Sequence, residues 1–332
     1  MFHAPLISAT PGLTLAVIGS RQEAAVKSAY PEAELLADPL AASRHPDADL
    51  VVIATPNETH APLAEAALRA GKHVVVDKPF TVTLAEARAL ATLAAEAGRV
   101  LSVFQNRRWD SDFLGIRREV GNGRIGDVVE LRSEMSRYRP EVRDRWRERA
   151  GPGSGVWYDL GPHLIDQALV LFGAPETVQA DLRTQRKGGS AIDWFHAVLG
   201  YGPVRAILTS SMLATDAPAR FLVRGTKGSL TKRGGDVQEA QLLDGRKPGT
   251  PGWGLDPDPV IVVGGDGGAP TELAAPPGDY LAYYTEIRDV IRGKGGLTVT
   301  PAQATAVMAV IEAGTRSSAE GRVVSPSYPD LH

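Results

Sequence analysis

The sequence predicts an α/β fold, in which a doubly wound parallel sheet is followed by an α+β domain with a large, mostly antiparallel sheet. Over the first hundred residues, short apolar runs alternate with helical patterns of about 10–15 residues. Beyond residue 128, apolar residues occupy every second position of several strand-like stretches. A length of 332 residues favours two domains. We place them at 1–107 and 108–332.

The first domain is predicted from apolar runs bounded by Gly, Pro and capping residues. Its strands are expected at 13–19, 33–37, 50–55, 74–76 and 100–104. Its helices are expected at 22–30, 59–70 and 83–97. Thr59 is a candidate N-cap, Thr83 and Glu86 suit a capping box, and Gly71 follows a helix end.

The second domain is predicted from period-two strands and long amphipathic helices. Its strands are expected at 128–134, 177–183, 194–199, 204–210 and 220–224. Its helices are expected at 112–120, 158–172, 280–292 and 301–320, the last with Thr300 and Gln303 as a capping box. Residues 244–278 are rich in Gly, Pro and Asp, so we expect mostly loop there, with one strand at 260–263.

A dinucleotide-binding domain of the Rossmann type opens with a strand, a G-x-G-x-x-G turn and a helix that holds the pyrophosphate. This chain has no such turn, and residues 2–9 resemble the later part of that helix. We therefore expect the domain at 1–107 to lack its first, central strand and to leave two neighbouring strands with unpaired edges. A misassigned start or a truncated chain would explain this, with about twenty residues missing.

Composition excludes several classes of function. A net charge of −3 points to neither nucleic acid nor a membrane surface. The absence of Cys excludes disulfides, thiolate metal sites and Cys nucleophiles, and it fits a cytoplasmic protein. The first residues do not form a signal peptide, and no apolar run approaches the ~20 residues of a membrane helix. We expect no metal site either, because no pair of His motifs with ligand spacing is present.

Residues 158–166 form the first motif with chemistry. Asp159, His163 and Asp166 stand at i, i+4 and i+7, so one helix face would carry carboxylate, imidazole and carboxylate. A His between two acids can transfer protons near neutral pH. The structural alternative makes Asp159 an N-cap, Asp166 a solvated residue and His163 part of the core.

The second motif is Asp77-Lys78-Pro79, which follows a run of three Val residues. Such a run indicates a buried parallel strand, so Lys78 would sit at its carboxyl end, where open α/β sheets bind ligands. The alternative is a Lys that extends into solvent.

Together with Ala54-Thr55-Pro56-Asn57-Glu58-Thr59-His60, these motifs resemble the Gfo/Idh/MocA family of nicotinamide-dependent oxidoreductases. The resemblance covers essentially the whole chain. The stretches at 2–7, 105–114, 137–142 and 158–167 are similar to the subgroup of NADP-dependent scyllo-inositol dehydrogenases. Asp77 departs from the family's usual Glu, and the glycine loop is absent.

The resemblance implies three catalytic residues. Lys78 would polarise the reacting hydroxyl, His163 would take its proton, and Asp159 would orient His163 and stabilise its charged form. The resemblance also implies cofactor contacts from Thr55, Pro56, Asn57, His60, Asp77, Lys78, Pro79, Asn106 and Trp109. A positioned base of this kind contributes typically 10²–10⁴-fold to rate.

Ser20 and Arg21 follow the expected strand at 13–19, at the place where NAD-selective enzymes carry an acidic residue. A hydroxyl and a guanidinium suit a 2′-phosphate, so we expect NADP, with NAD as the alternative cofactor. The structural alternative is that Ser20 begins a helix and Arg21 lies on the surface without a ligand.

Substrate contacts are expected from Lys78, Asn106, Arg108, Tyr138, Trp146, Tyr158, Asp159 and His163, which suit a polyhydroxylated ring. The six Arg residues of 137–149 are interleaved with acids, which argues against a nucleic-acid surface. Trp194, Val198 and Leu208 suggest a partly apolar free sheet face and a homodimer or homotetramer.

The sequence therefore favours an NADP-dependent dehydrogenase or reductase of a cyclic polyol or sugar, with scyllo-inositol as the leading substrate. One alternative is a non-enzymatic NAD(P)-binding regulator of the same fold. The other is an inactive truncated form.

Overall fold

A computed structural model describes residues 2–328; Met1 and residues 329–332, the outer ends of the two predicted domains, lie outside the described residues. The first part of the chain alternates strands and helices as predicted. Its strands are β1 (Val17–Gly19), β2 (Glu34–Leu36), β3 (Leu50–Ile53), β4 (His73–Val76) and β5 (Leu101–Val103). Its helices are α1 (His3–Ala9), α2 (Glu23–Ala29), α3 (Pro39–Ser43), α4 (His60–Arg69) and α5 (Leu84–Glu96).

The parallel sheet of this part consists of two pieces. β1 pairs with β2, and β3, β4 and β5 form a separate sheet. The facing edges of β1 and β3 line one cavity of about 690 Å³. Val17, Ile18 and Val51 are only half-buried there, although parallel strands are normally buried on both faces. The unpaired edges expected from the sequence are therefore present in residues 2–328.

Capping decides where the helices begin. Thr83 Oγ1 accepts a hydrogen bond from Glu86 N, and Glu86 Oε2 accepts one from Thr83 N, at 3.2 and 2.9 Å, which confirms the capping box of α5. Thr59 occupies the N-cap position of α4, as expected, but its side chain does not cap the helix. Its hydroxyl donates to Pro56 O at 2.7 Å, and a 3₁₀ turn at Asn57–Thr59 precedes α4.

The second part of the chain contains a mixed eight-stranded sheet. Its strands are β6 (Val128–Glu134), β7 (Thr177–Arg183), β8 (Trp194–Tyr201), β9 (Val204–Ser211), β10 (Phe221–Gly225), β11 (Gly228–Lys232), β12 (Val260–Gly264) and β13 (Thr271–Leu273). The order is β13-β12-β11-β10-β6-β9-β8-β7, and every pair is antiparallel except β6 with β9. β11 and β13 were not predicted. Both are short, and Gly or loop-like residues flank them, so no long periodic pattern identifies them.

The helices of this part are α6 (Ser111–Gly121), α7 (Gly155–Asp159), α8 (Gly161–Phe172), α9 (Gln238–Leu243), α10 (Leu281–Ile291) and α11 (Pro301–Glu320). Of these, α6, α7, α8 and α11 pack against the sheet. Trp157 is fully buried between this layer and the sheet: its ring lies 5.0 Å from that of Phe195, and its Nε1 donates to Ile311 O at 3.1 Å. This packing fixes α7 on the sheet directly before Asp159.

The other face of the sheet carries half-buried apolar residues. Trp194 and Val198 lie on it, as the sequence suggests. Leu208 does not, because it pairs with inward-facing Ala197 and is fully buried. Ile207, which pairs with Val198, takes its place on the outer face. Among the helices described, none has both the length and the apolar character to cross a bilayer.

Candidate active site

Lys78 lies at the carboxyl end of β4, whose Val74, Val75 and Val76 are fully buried. Its side chain is 14% exposed and so does not extend into solvent. Nζ donates to Asp159 Oδ1 at 2.9 Å and to Asp159 O at 2.8 Å. An ammonium has three donors, so one N–H of Lys78 remains available. The bond joins the first and second parts of the chain.

Asp77 holds the backbone behind Lys78. Its Oδ1 accepts the Lys78 amide hydrogen at 2.8 Å, and its Oδ2 lies 3.6 Å from His3 Nε2. His3 Nδ1 is in turn hydrogen-bonded to Tyr284 at 2.6 Å. Burial opposes ionisation of Asp77, but the neighbouring His3 and the charge of Lys78 lower its pKa to about 2. Asp77, which the sequence predicts as a cofactor contact, thus directs its carboxylate at His3 in α1.

The helix expected at 158–172 is broken. α7 ends at Asp159 and α8 begins at Gly161, with Pro162 in its first turn. Asp159 and His163 therefore do not share one continuous helix face, and the prediction that Asp159 orients His163 is wrong in this geometry. Asp159 binds Lys78 instead, and it is neither an N-cap nor a hydrogen-bond partner of His163.

His163 is 4% exposed, and its imidazole makes no hydrogen bond with residues 2–328. Burial, followed by the positive charges of Lys78, Arg107, Arg220 and Arg137, places the pKa of His163 well below its ordinary value. The ring is therefore neutral at physiological pH and can accept a proton. The positive charge of Lys78 is thus among those that disfavour protonation of His163.

Asp159 stays ionised beside them. Burial opposes its charge, but the Lys78 ammonium, with Arg147 and Arg137, holds the pKa of Asp159 well below the ordinary range. The site thus combines an ammonium, a carboxylate and a neutral imidazole. This set can polarise a hydroxyl and receive its proton.

Asp166 is buried rather than solvated. Its two oxygens accept from Arg108 Nε at 2.8 Å and from Nη2 at 2.6 Å. Arg108 Nη1 donates to Thr298 O and to Gln303 Oε1. All three nitrogens of the Arg108 guanidinium are therefore held by protein groups, which corrects its assignment as a substrate ligand. The pair fixes α8, and with it His163, against the chain after β5 and the start of α11.

A second buried network, which the sequence did not reveal, adjoins α8. Arg220 donates to Gln167 Oε1 at 2.6 Å and lies 3.4 Å from Asp112 Oδ2. Burial raises the pKa of Asp112 to about 6. Arg107 pairs with Asp110 at 3.1 Å. The contacts of Arg220 join residues far apart in sequence, so no local pattern marks them.

The residues expected to line the cofactor fall into two groups. Asn57 and His60 are buried and bonded to the protein: Asn57 Nδ2 donates to Gly153 O at 2.7 Å, and the His60 ring is bonded to Pro79 O and Thr55 O at 2.8 and 3.0 Å. Both nitrogens of the His60 ring face main-chain carbonyls, which corrects its assignment as a cofactor ligand. Only Nδ2 of Asn57 is engaged, so the assignment of Asn57 stays a prediction. Thr55, at the end of β3, lines the cavity between the two sheets, and Pro56 follows it at the start of the 3₁₀ turn.

Ser20 and Arg21 follow β1. Ser20 Oγ accepts the Gln22 amide hydrogen at 3.1 Å, and Arg21 is exposed. Gly19, at the end of β1, and Thr55, two residues beyond β3, both line the cavity of about 690 Å³ that separates the two sheets. The chemistry that fits a dinucleotide at this edge is that of the Ser20 and Thr55 hydroxyls and the exposed Arg21 guanidinium, although the G-x-G-x-x-G turn is absent from the sequence.

The remaining residues expected to bind substrate have different surroundings. Asn106 is buried in a 3₁₀ turn, Asn106–Trp109, and Trp109 packs edge-on against Tyr283. The Tyr158 hydroxyl donates to Val82 O at 3.1 Å. Trp146 is half-buried with Arg147 stacked on its ring, whereas Tyr138 is 57% exposed. Residues 2–328 contain no cluster of three potential metal ligands.

Comparison with known families identifies both parts of the chain. Residues 1–105 match the Gfo/Idh/MocA model described as an oxidoreductase family with an NAD-binding Rossmann fold. Residues 117–325 match the model of the C-terminal alpha/beta domain of that oxidoreductase family.

Curated relatives and solved structures extend over almost the whole chain. YdgJ of Escherichia coli, an uncharacterised oxidoreductase, is 50% identical over 96% of this chain and 92% of its own. The scyllo-inositol 2-dehydrogenase (NADP⁺) IolW of Bacillus subtilis is 37% identical over 98% of this chain and 92% of its own. A crystal structure of a Klebsiella pneumoniae protein, titled as an oxidoreductase, superposes with a TM-score of 0.93 at 50% identity, covering 99% and 92% of the two chains.

The buried pair of Arg108 and Asp166 generates an expectation for stability. Arg108→Met or Asp166→Leu alone leaves one buried charge without a partner, so each should lower the free energy of unfolding by about 3–5 kcal/mol. The double variant should lose less than the sum of the two single losses. Urea unfolding of the three variants provides the measurement.

The exposed pair Arg69 and Glu65, 2.8 Å apart, serves as the control, because removing it should cost only about 0.2–1 kcal/mol. Single losses at Arg108 and Asp166 no larger than in this control would contradict the structural role of the buried pair.

Proposed function

The chain belongs to the Gfo/Idh/MocA family and is an NAD(P)-dependent dehydrogenase, and on that premise we propose that it uses NADP to oxidise or reduce a secondary alcohol or ketone of a cyclic polyol or sugar. The first candidate substrate is scyllo-inositol, since the relative IolW carries that activity in its name. The observation that carries the proposal is the bond from Lys78 to Asp159 beside the neutral His163.

Oxidation of a carbinol requires removal of the hydroxyl proton as hydride departs. Lys78 has one N–H left after its two bonds to Asp159, and it can donate that hydrogen to the substrate oxygen. A cation there stabilises the developing alkoxide. His163 has no other hydrogen-bond partner among the described residues and is neutral, so it can receive the proton. Reduction reverses the roles.

Asp159 keeps Lys78 in place. It accepts through both its carboxylate and its main-chain carbonyl, so the Lys78 ammonium is held at two points. Arg108 and Asp166 hold the helix that carries His163. The two proton-handling groups are thereby fixed from opposite parts of the chain, as a positioned acid and base must be.

Ser20 and Arg21 would hold the adenosine end of the cofactor, and Thr55 and Lys78 would line the path towards the nicotinamide. When bound, the nicotinamide supplies or accepts the hydride. Arg21 is exposed and makes no ion pair among the described residues, so its guanidinium group is available to bind a 2′-phosphate. The half-buried Trp194, Val198 and Ile207 on the outer sheet face support a homodimer or homotetramer through that face.

The first test follows the pH dependence of scyllo-inositol oxidation at the NADPH absorbance. Because the pKa of His163 lies well below 6.5, the base stays unprotonated as pH falls through 6.5, so kcat/KM should not decline there. His163→Asn should lower kcat about 10²–10⁴-fold.

His196→Asn, on the outer sheet face, is the matched control and should leave the rate unchanged. A wild-type rate in His163→Asn would refute the assignment. So would a rate loss near pH 6.5 that disappears in His163→Asn.

The second test concerns cofactor choice. Arg21→Ala removes the guanidinium proposed for the 2′-phosphate, so the Kd for NADPH, measured by fluorescence titration, should rise about 10–100-fold while that for NADH changes little. Arg117→Ala, at an exposed position of α6, is the control. Equal weakening of both cofactors, or of neither, would argue against selection by Arg21.

A further inference from the structure

Three glutamines of residues 2–328 are buried, and the protein pairs the side chains of two of them. Gln167 Oε1 accepts from Arg220 at 2.6 Å, and its Nε2 donates to a main-chain carbonyl at 3.0 Å. Gln238 Oε1 accepts two N–H groups, at 2.8 and 3.0 Å, and its Nε2 donates to a main-chain carbonyl at 3.1 Å. Gln105 is 2% exposed, and its Oε1 has no hydrogen-bond partner in the described part of the chain. Because buried amide oxygens are normally paired, Gln105 is a candidate to accept from a ligand.

The pairing of β4 with β5 places Gln105 beside Lys78. Val76 pairs with Val103, and Phe104 N donates to Val76 O at 2.8 Å, so the ladder continues past the end of β5. Continued by two residues, this register sets Gln105 next to Lys78. Neighbouring strands of a sheet lie about 4.7–4.9 Å apart, so the side chains of the two residues start from adjacent positions.

The two side chains also share one face of the sheet. Asp77 and Phe104, the residues directly before them, both contact His3 of α1: Asp77 Oδ2 lies 3.6 Å from His3 Nε2, and the rings of Phe104 and His3 are 4.5 Å apart. Successive side chains of a strand point to opposite faces. Lys78 and Gln105 therefore lie on the face away from α1, where the Lys78 ammonium meets the second part of the chain.

The turn after Gln105 is fixed to the helix that carries His163. Gln167 lies one turn beyond His163 on α8, and its Nε2 donates to Arg107 O at 3.0 Å. Gln105 O in turn accepts from Arg108 N at 3.2 Å, which closes the turn. Gln105 thus lies between the end of β4 and α8, the two elements that carry the proton-handling groups of the site.

We propose that the side-chain amide of Gln105 binds the carboxamide of the nicotinamide ring. This carboxamide is attached to the ring carbon next to the one that exchanges hydride, so it lies close to Lys78 and His163 when the ring is bound. A primary amide both donates and accepts, and rotation about the last side-chain bond of Gln105 can present either atom to it. The inference rests on the proposed function, because that function brings the ring to this position.

The experiment measures the Kd of three dinucleotides by titration calorimetry, without turnover. They are NADP, its 3-acetylpyridine analogue, which keeps the carbonyl but has no N–H, and its nicotinic acid analogue, which carries a carboxylate. All three have the same adenosine and phosphate groups, so contacts at that end cancel in the ratios. The variants are Gln105→Leu, Gln105→Ala and Gln105→Glu, with Gln179→Leu at an exposed position of β7 as the matched control.

We expect the wild type to bind NADP at least about tenfold more tightly than either analogue, because each analogue leaves the Gln105 amide incompletely paired. Gln105→Leu and Gln105→Ala should bring the Kd ratio between the acetylpyridine analogue and NADP close to one. Gln105→Glu still accepts an N–H but cannot donate, so it should keep the preference for NADP and discriminate further against the nicotinic acid analogue. Gln179→Leu should match the wild type.

Equal wild-type affinity for NADP and the acetylpyridine analogue would overturn the inference and leave the proposed function intact. So would a preference for NADP that survives unchanged in both Gln105→Leu and Gln105→Ala. A higher KM for scyllo-inositol in these two variants, with the nucleotide preference unchanged, would assign Gln105 to the substrate and also overturn the inference. Failure of the wild type to bind any of the three dinucleotides would refute the proposed function and the inference together.

Discussion

The contact on which the site depends is the bond between the Lys78 ammonium and Asp159. It joins the end of a buried parallel strand to the end of α7, two elements that lie 81 residues apart in sequence. Burial would by itself favour the neutral form of Asp159, and the nearby cations keep it ionised. The same ammonium helps to keep the imidazole of His163 neutral. The ion pair thus joins the two parts of the chain at the site, and Lys78 contributes, with burial and neighbouring Arg residues, to the protonation states of Asp159 and His163.

The surrounding framework restricts movement of these groups. Val74–Val76 fix the strand before Lys78, and Trp157 fixes α7 before Asp159. The two hydrogen bonds from the Arg108 guanidinium to the Asp166 carboxylate anchor the helix that carries His163. Such a pair contributes little net stability relative to apolar residues, but it defines one arrangement of α8, because any other would leave a buried charge unpaired.

The sequence predicted what depends on local pattern. The buried run before Lys78, the capping boxes at Thr83 and Thr300 and the unpaired edge of β3 all follow from residues close together in the chain. It failed where tertiary contacts decide. Pro162 is compatible with the first turn of a helix, so the sequence did not show that a new helix starts at Gly161. Arg108 binds Asp166, which lies 58 residues away in sequence, and no spacing rule relates the two.

The central claim is that Lys78 and His163 share one electrostatic environment, with the imidazole neutral. ¹H–¹⁵N NMR of the histidine rings over a pH titration tests it directly, with the His163 signal assigned by its loss in His163→Asn. We expect His163 to remain neutral well below pH 6.5, and its pKa to rise in Lys78→Met because the neighbouring positive charge is gone. Titration at or above pH 6.5 in the wild type, or an unchanged pKa in Lys78→Met, would contradict the account.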